Sequence, residues 1–417
     1  MPPHRASGRP RPPTSAVLPV TDHDPLLAFR AEFPILERST YLVSNSLGAM
    51  PRAVPEQLAE YARLWNERGV RAWAEGWWHM PETVGNAVAP LLGAQAGEVV
   101  MVPTVTQALS TVLSALDYPE TRNRIVMTAL DFPSVRYAFD GLAPRLGAEV
   151  HVVPTDDGIG IPTERLLSAI DERTRLVAIS HVFFRSAFIV DAAAIIRRAH
   201  EVGALVALDA YHSVGVIPVD VHALGVDFLA GGVLKWLCGG PGGAFLYASP
   251  AVRDRFGPAL TGWQAHRTPF AFAPDMTYAD GIWRWLGGTP AVPALFAGLA
   301  GPQLVHAAGI DALRAKSVRQ TNRLLALADA RGWRTTTPRE TTQRGGTVAF
   351  DVPHAAEVSQ ALLARDIVID YRPGAGIRVA PHFYTTDAEV DVVVDAIDDI
   401  LATEAWRPFA GRSRTVT

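Results

Sequence analysis

Cysteine is almost missing from this chain: Cys238 is the only one among 417 residues. A single thiol excludes an internal disulfide framework and any Cys-rich zinc or iron–sulfur site, and it fits the reducing cytosol. Excess charge of either sign is missing too. The formal net charge is −4, which supplies no basic field for nucleic acid or an anionic membrane. No run reaches the ~18 uninterrupted apolar residues of a membrane span, and the first residues hold no apolar stretch of the secretory type. The expectation is a cytoplasmic protein that engages neither nucleic acid nor membrane.

Lysine is nearly as scarce. Lys235 and Lys316 are the only two, so the other 36 of the 38 basic residues are arginine. Where arginine stands almost everywhere, a retained lysine invites a chemical reason: an ammonium can lose its proton and attack a carbonyl, and a guanidinium cannot. Lys316 has Arg314 and Arg319 beside it in a helix-like stretch, and reads as a solvated surface residue.

What is present is a large core. Hydrophobic residues make up 48% of the chain and charged residues 19%, enough apolar surface for one large and one smaller domain. Residues 1–24 carry Pro, Arg and Ser without periodicity and read as a disordered arm. From about residue 85, helical periodicity alternates with short Val-, Ile- and Leu-rich runs over 124–129, 150–153, 176–181, 204–209, 226–230 and 244–248. Alternation of this kind implies an α/β fold with a mostly parallel sheet covered by helices on both faces. Beyond residue 300 come a long helix over 310–330, strands near 346–351, 367–370 and 377–380, and a last helix from Asp387. The division expected is a large domain over 25–300 and a small α+β domain over 301–410.

Nucleotide motifs fail. Neither Gly158-Ile-Gly160 nor Gly239-Gly-Pro-Gly-Gly243 completes G-x-G-x-x-G, and no P-loop exists, because Lys235 lies between Leu234 and Trp236. Tyr211-His212-Ser213-Val214-Gly215 lacks the first glycine of a nucleophile elbow. A different pairing stands out. The run ending Val206-Ala-Leu-Asp209 leaves a carboxylate at the carboxyl edge of the sheet, where open α/β folds bind ligands. The next run delivers Lys235 to the same edge, flanked by Gly231, Gly232 and the glycines from 239 to 243. Apolar neighbours depress an amine's pKa and keep it nucleophilic. A strand-end Asp followed by a strand-end Lys fits pyridoxal 5'-phosphate, whose aldehyde bonds to lysine while a carboxylate keeps the pyridine nitrogen protonated. A buried structural lysine and a helix-capping aspartate remain the plain alternatives.

The run Leu208-Asp-Ala-Tyr-His-Ser-Val-Gly215, then Pro218-Val-Asp-Val-His222, Gly225-Val-Asp-Phe228 and Leu234-Lys-Trp-Leu-Cys-Gly-Gly-Pro-Gly-Gly243, resembles the cofactor core of the class V aminotransferase family, the kynureninases in particular. Asn45-Ser-Leu-Gly48, Phe132-Pro-Ser134, His181-Val-Phe-Phe-Arg185, Gly262-Trp-Gln-Ala-His266, Gly288-Thr-Pro290 and Ile377-Arg-Val-Ala-Pro381 agree in order, so the resemblance covers roughly residues 30 to 400. It implies the type I fold of pyridoxal-phosphate-dependent transferases, aspartate aminotransferase-like. It further implies that Lys235 bonds the cofactor aldehyde and later shuttles protons, that Asp209 holds the ring nitrogen, that His212 lies close by, and that Phe132 stacks on the ring. Val105 and Thr106 would bind phosphate at a helix start, Trp263 and Thr289 would reach the phosphate of a neighbouring subunit in a homodimer, Arg378 would clasp the substrate α-carboxylate, and Ser46 would approach the substrate. Each has a plainer reading: a cap for Thr106, core packing for Phe132, Trp263 and His212, an ion pair for Arg378.

The chain departs from the kynureninase pattern beside the lysine. The usual Tyr before it is Leu234, the Tyr-Leu-Asn after it is Trp236-Leu237-Cys238, an acidic residue after Phe-Pro-Ser is Val135, and a Gly is Ala187. The activity implied is hydrolytic cleavage of kynurenine or a derivative to an anthranilate and alanine. Transamination, epimerisation, C–S β-elimination and a non-catalytic binding module stay open.

Overall fold

Two interleaved sets of apolar side chains build the larger sheet of the protein, described here from a computed structural model over residues 24–411. The arm assigned to residues 1–24 therefore lies outside the described residues, apart from Asp24. After a two-residue strand β1 (Thr40–Tyr41), the sheet is formed by β2 (Val99–Val102), β3 (Arg124–Thr128), β4 (Glu149–Val153), β5 (Thr174–Ser180), β6 (Leu205–Asp209), β7 (Phe228–Gly232) and β8 (Ala244–Ala248). Their order is β2-β8-β7-β6-β5-β3-β4. The run from β7 to β4 is parallel, and β8 alone runs the other way, pairing antiparallel with both β7 and β2, as expected of a mostly parallel sheet.

Alternation along the strands assigns the faces. Val206, Leu208 and Leu229 enter one core with Ile195, Ile196 and Ala199 of the helix Ala192–Glu201. Ala207, Phe228 and Ala230 enter the other, with Val105 and Leu109 of the helix Val105–Ser114 and with Val135 and Phe139 of the helix Pro133–Leu142. Burial on both faces is why β6, β7 and β8 read as unbroken apolar runs. The exposed alternation of β4 marks it as the edge.

A second, antiparallel sheet has the order β12-β13-β10-β9, from β9 (Arg334–Thr335), β10 (Val348–Asp351), β12 (Asp370–Arg372) and β13 (Gly376–Val379). The intervening β11 (Ile367–Val368) pairs in parallel with β1, so the first strand of the chain is held by a strand near its end. The helices Ile310–Ala330, Ala355–Leu363 and Asp387–Ala402 share a core of Leu324, Phe350, Val358, Ile377, Val393 and Ile397. A capping box between Thr386 and Glu389 starts the last helix. Arg323 bonds Asp391 at 2.6 Å and Arg331 bonds Asp395 at 2.9 Å, tying it to the helix Ile310–Ala330.

Lys316 is not the solvated residue its neighbours suggest. It is 4% exposed, donates to the Phe383 carbonyl at 2.6 Å, and pairs with Asp24 at 2.9 Å. The buried stripe of its helix runs through Leu313, Ser317, Gln320 and Leu324, and position 316 falls on it although its residues are partly polar.

Candidate functional site

The carboxyl ends of β6 and β7 and the start of the helix Val105–Ser114 enclose one cavity of about 330 Å³. That volume is at the small end of ligand sites, which run from ~300 to 1,000 Å³. Lys235 reaches it because β7 stops at Gly232 and the chain folds back, with the Gly239 amide bonded to the Val233 carbonyl at 2.7 Å. Behind the lysine, the Gly48 amide donates to the Leu234 carbonyl at 2.9 Å. A Cβ on Gly48 would lie 2.2 Å from the Lys235 carbonyl oxygen, so only glycine lets this segment dock backbone to backbone.

The amine is held among groups that keep it reactive. Lys235 Nζ lies 2.6 Å from His212 Nε2, 4.3 Å from the centre of the Tyr211 ring and 5.5 Å from that of Phe132. Burial pushes its pKa down to about 7; Asp209 opposes that shift, and the charge of Arg378 adds to it. His212 falls well below the usual histidine value through burial and then the Lys235 charge, so its imidazole stays neutral and accepts from the amine.

Asp209 ends β6 and accepts the Tyr211 amide at 2.9 Å. Burial raises its carboxyl, against the lowering pull of that amide and of Lys235. A second buried carboxylate, Asp131, adds to the raising; it accepts the Thr128 amide at 2.7 Å and the Ser180 amide at 2.6 Å. At the cavity's other wall, Thr104 caps the helix by accepting the Gln107 amide at 3.0 Å. The amides of Val105 and Thr106 are among the first-turn donors that no helical carbonyl serves, the usual setting for an anion.

Six of the residues singled out in the sequence therefore border one cavity: Lys235, Asp209, His212, Phe132, Val105 and Thr106. Phe132 is 41% exposed, and its ring meets Phe184 edge to face at 5.2 Å. The other four lie elsewhere. Arg378 is opposite Asp370 in the β12–β13 register and commits three of its five N–H groups there: Nε bonds Asp370 at 2.8 Å, Nη2 bonds its second oxygen, and Nη1 donates to the Phe184 carbonyl at 2.6 Å. Arg372 approaches the same carboxylate at 3.1 Å and donates to Ser46 Oγ at 3.4 Å. Ser46 and Arg378 thus belong to one arginine–aspartate–arginine cluster near the cavity. Trp263 is 37% exposed and packs on Trp78, Phe270 and Phe272. Thr289 lines a depression of about 60 Å³ that shares Pro103 and Gly242 with the cavity.

Sequence reasoning missed Asp370, Arg372 and Phe184 as site neighbours. The alternation Asp370, Arg372 on one strand face, with Arg378 a short hairpin away, was the available signal. Asp370 is completely buried, and removing it takes the counter-charge from the buried Arg378 guanidinium. Asp370→Ala is expected to lower the unfolding free energy by ~3–5 kcal/mol. Urea midpoints of the two proteins check this, and an unchanged midpoint would mean that water already compensates the pair.

No helix among the described residues is long and apolar enough to cross a membrane, and no cluster of metal-ligating side chains occurs among them. The family model Aminotransferase class-V matches residues 40–392. A kynureninase of Burkholderia pseudomallei is 33% identical over 94% of this chain and 96% of its own length. A kynureninase of Pseudomonas fluorescens is 35% identical, covering 92% and 94%. Among solved structures, an apo cysteine desulfurase of Thermococcus onnurineus superposes with a TM-score of 0.80 at 22% identity, covering 92% of this chain and 99% of that one. A cystine C–S lyase bound to its product cysteine persulfide does so with a TM-score of 0.80, also at 22% identity, covering 88% and 99%. Likeness at that identity shows a common fold.

Proposed function

The chain belongs to the class V aminotransferase family, and from that premise we propose a pyridoxal-phosphate enzyme of kynureninase type. Its reaction is hydrolysis of the β,γ carbon–carbon bond of L-kynurenine or a ring-modified derivative, giving an anthranilate and L-alanine. The observation that carries this reading is one cavity presenting a depressed-pKa amine, a carboxylate at a strand end and a helix start with spare amides. These are the three groups that an aldehyde, a pyridine nitrogen and a phosphate require, so the donor set fits the cofactor. Bound there, pyridoxal phosphate supplies an electron sink for a carbanion at the substrate α-carbon.

The chain's own residues then have distinct tasks. With the cofactor bound, Lys235 would hold its aldehyde and would carry a proton from and back to the substrate α-carbon. Neutral His212, at 2.6 Å, fixes where that amine sits. Asp209 would accept from the pyridine N–H, Val105 and Thr106 would donate to the phosphate, and Phe132 would pack against the ring. The cluster of Arg378, Asp370 and Arg372 gives the substrate α-carboxylate its counter-charge, with Ser46 alongside. The large unit over 25–300 holds the cofactor, and the small one over 301–410 brings in the arginine cluster.

The assembly is a cytoplasmic homodimer. The exposed Trp263, Phe270 and Phe272 supply an apolar surface for a second copy, and Trp263 and Thr289 reach the partner's phosphate. A persulfide-forming desulfurase needs an accessible thiolate. Cys238 is buried, and that burial raises its thiol far above the usual value.

Product analysis tests the reaction. The holoprotein given L-kynurenine and 3-hydroxykynurenine is expected to release alanine together with the matching anthranilate. A keto acid would indicate transamination, a D-amino acid epimerisation, pyruvate with a thiol from a sulfur amino acid C–S elimination. Failure to take up the cofactor would leave a binding module.

A further inference from the structure

Tyr211 has no task in the reading above, yet it forms a wall of the Lys235 cavity. Its backbone amide is bonded to the Asp209 carboxylate at 2.9 Å, which ties its Cα to the group that faces the ring nitrogen. From there the side chain crosses to β7. A Cβ added at Gly232 would lie 2.3 Å from its Cζ and 2.4 Å from its hydroxyl oxygen. The phenol thus fills the space a side chain at the end of β7 would have taken, and position 232 has to be glycine to leave it room. Tyr211 also packs on the sheet face that carries the helix Val105–Ser114, against the core containing Val105 and Leu109. That is the face on which the spare amides stand.

Two further facts fix the chemistry of the phenol. Its hydroxyl makes no hydrogen bond to protein among the described residues, although Tyr211 borders the cavity. Leu234, which also lines the cavity, offers only carbon. Burial and the Asp209 charge raise the phenol above its usual value, so it remains an O–H donor.

We infer that Tyr211 is a cofactor-holding residue, whose hydroxyl donates to the phosphate group at the start of the helix Val105–Ser114 while its ring lies beside Lys235 Nζ. The inference rests on the pyridoxal-phosphate reading and adds a side-chain donor to the two backbone-led ones. A neutral donor on a doubly charged oxygen group makes a stronger bond than one between neutral partners, and it is lost when the oxygen is removed.

The test compares pyridoxal 5'-phosphate with pyridoxal, the same aldehyde without the phosphate. Each is titrated into apo wild type and Tyr211→Phe, following the absorbance gained on bonding to Lys235. Phenylalanine keeps the ring, and equal melting temperatures of the two apo proteins confirm that the fold is intact. The expected result is a Kd for pyridoxal phosphate weakened about tenfold or more, with the Kd for pyridoxal unchanged within about twofold. Equal weakening for both ligands would make Tyr211 a packing residue, and no weakening for either would leave its hydroxyl without a role; both overturn the inference. Wild type that takes up neither ligand would instead overturn the cofactor reading beneath it, which is a result the variant comparison cannot mimic.

Discussion

Lys235→Ala is expected to lower turnover of L-kynurenine by ~10⁴-fold or more, to the limit of detection in a continuous assay of anthranilate release. The size follows from two losses at one atom. On the proposed reading the amine both holds the cofactor and moves the substrate's α-proton, and general acid–base steps of that kind contribute ~10²–10⁴-fold each. The only other lysine cannot step in, because Lys316 is locked between Asp24 and the Phe383 carbonyl. His212, 2.6 Å away, stays neutral and can take a proton, but its imidazole makes no stable bond to an aldehyde. Borohydride reduction of the wild-type holoprotein followed by peptide mapping should tag Lys235 alone. A variant retaining a tenth of wild-type turnover would remove the assignment.

The second large effect concerns the carboxylate. Asp209→Asn keeps an acceptor for the Tyr211 amide and the shape of the turn, but it removes the negative charge. An opposite charge in hydrogen-bond contact moves a pKa by ~1–3 units, and each unit is 1.36 kcal/mol, so the ring nitrogen loses enough proton affinity to cut kcat by roughly 10- to 1,000-fold. The loss should fall on kcat, with the cofactor still bonded to Lys235 and visible by absorbance. If Asp209 were only a cap for the turn after β6, the asparagine variant would work at the wild-type rate. That outcome, with full cofactor loading, would sink the role given to it.

The two residues under these predictions were legible in the sequence for a local reason. Both stand at the end of an apolar run, and a run buried on both faces announces its strand without reference to anything else in the chain. Strands β6 to β8 have that burial, and all six strands from β3 to β8 overlap runs read from the sequence, the edge strand β4 included. Strand β2, four buried residues next to a turn, was not singled out, and β1 at two residues has no pattern to read. The harder features depend on register. Arg378 stands in the sequence without a visible partner, and its pairing with Asp370 follows from the β12–β13 register, which the sequence does not state. Lys316 failed for a related reason: the helix Ile310–Ala330 had the right bounds, but its buried stripe carries Ser317, Gln320 and Thr321, so hydrophobicity did not reveal which side faced inward. Tyr211 was read as one letter of a motif, and its place beside Gly232 shows only when β6 and β7 lie side by side.

The scarcity of lysine makes the site unusually easy to watch. Protein grown on ¹⁵N-lysine labelled at the side chain carries two reporter nitrogens, at 235 and 316. One is clamped by the Asp24 carboxylate and the Phe383 carbonyl and serves as an internal standard. The other is the nitrogen at which the proposed chemistry makes and breaks bonds, so its resonance alone should follow cofactor loading, substrate arrival and product departure in real time, in a spectrum with nothing to assign.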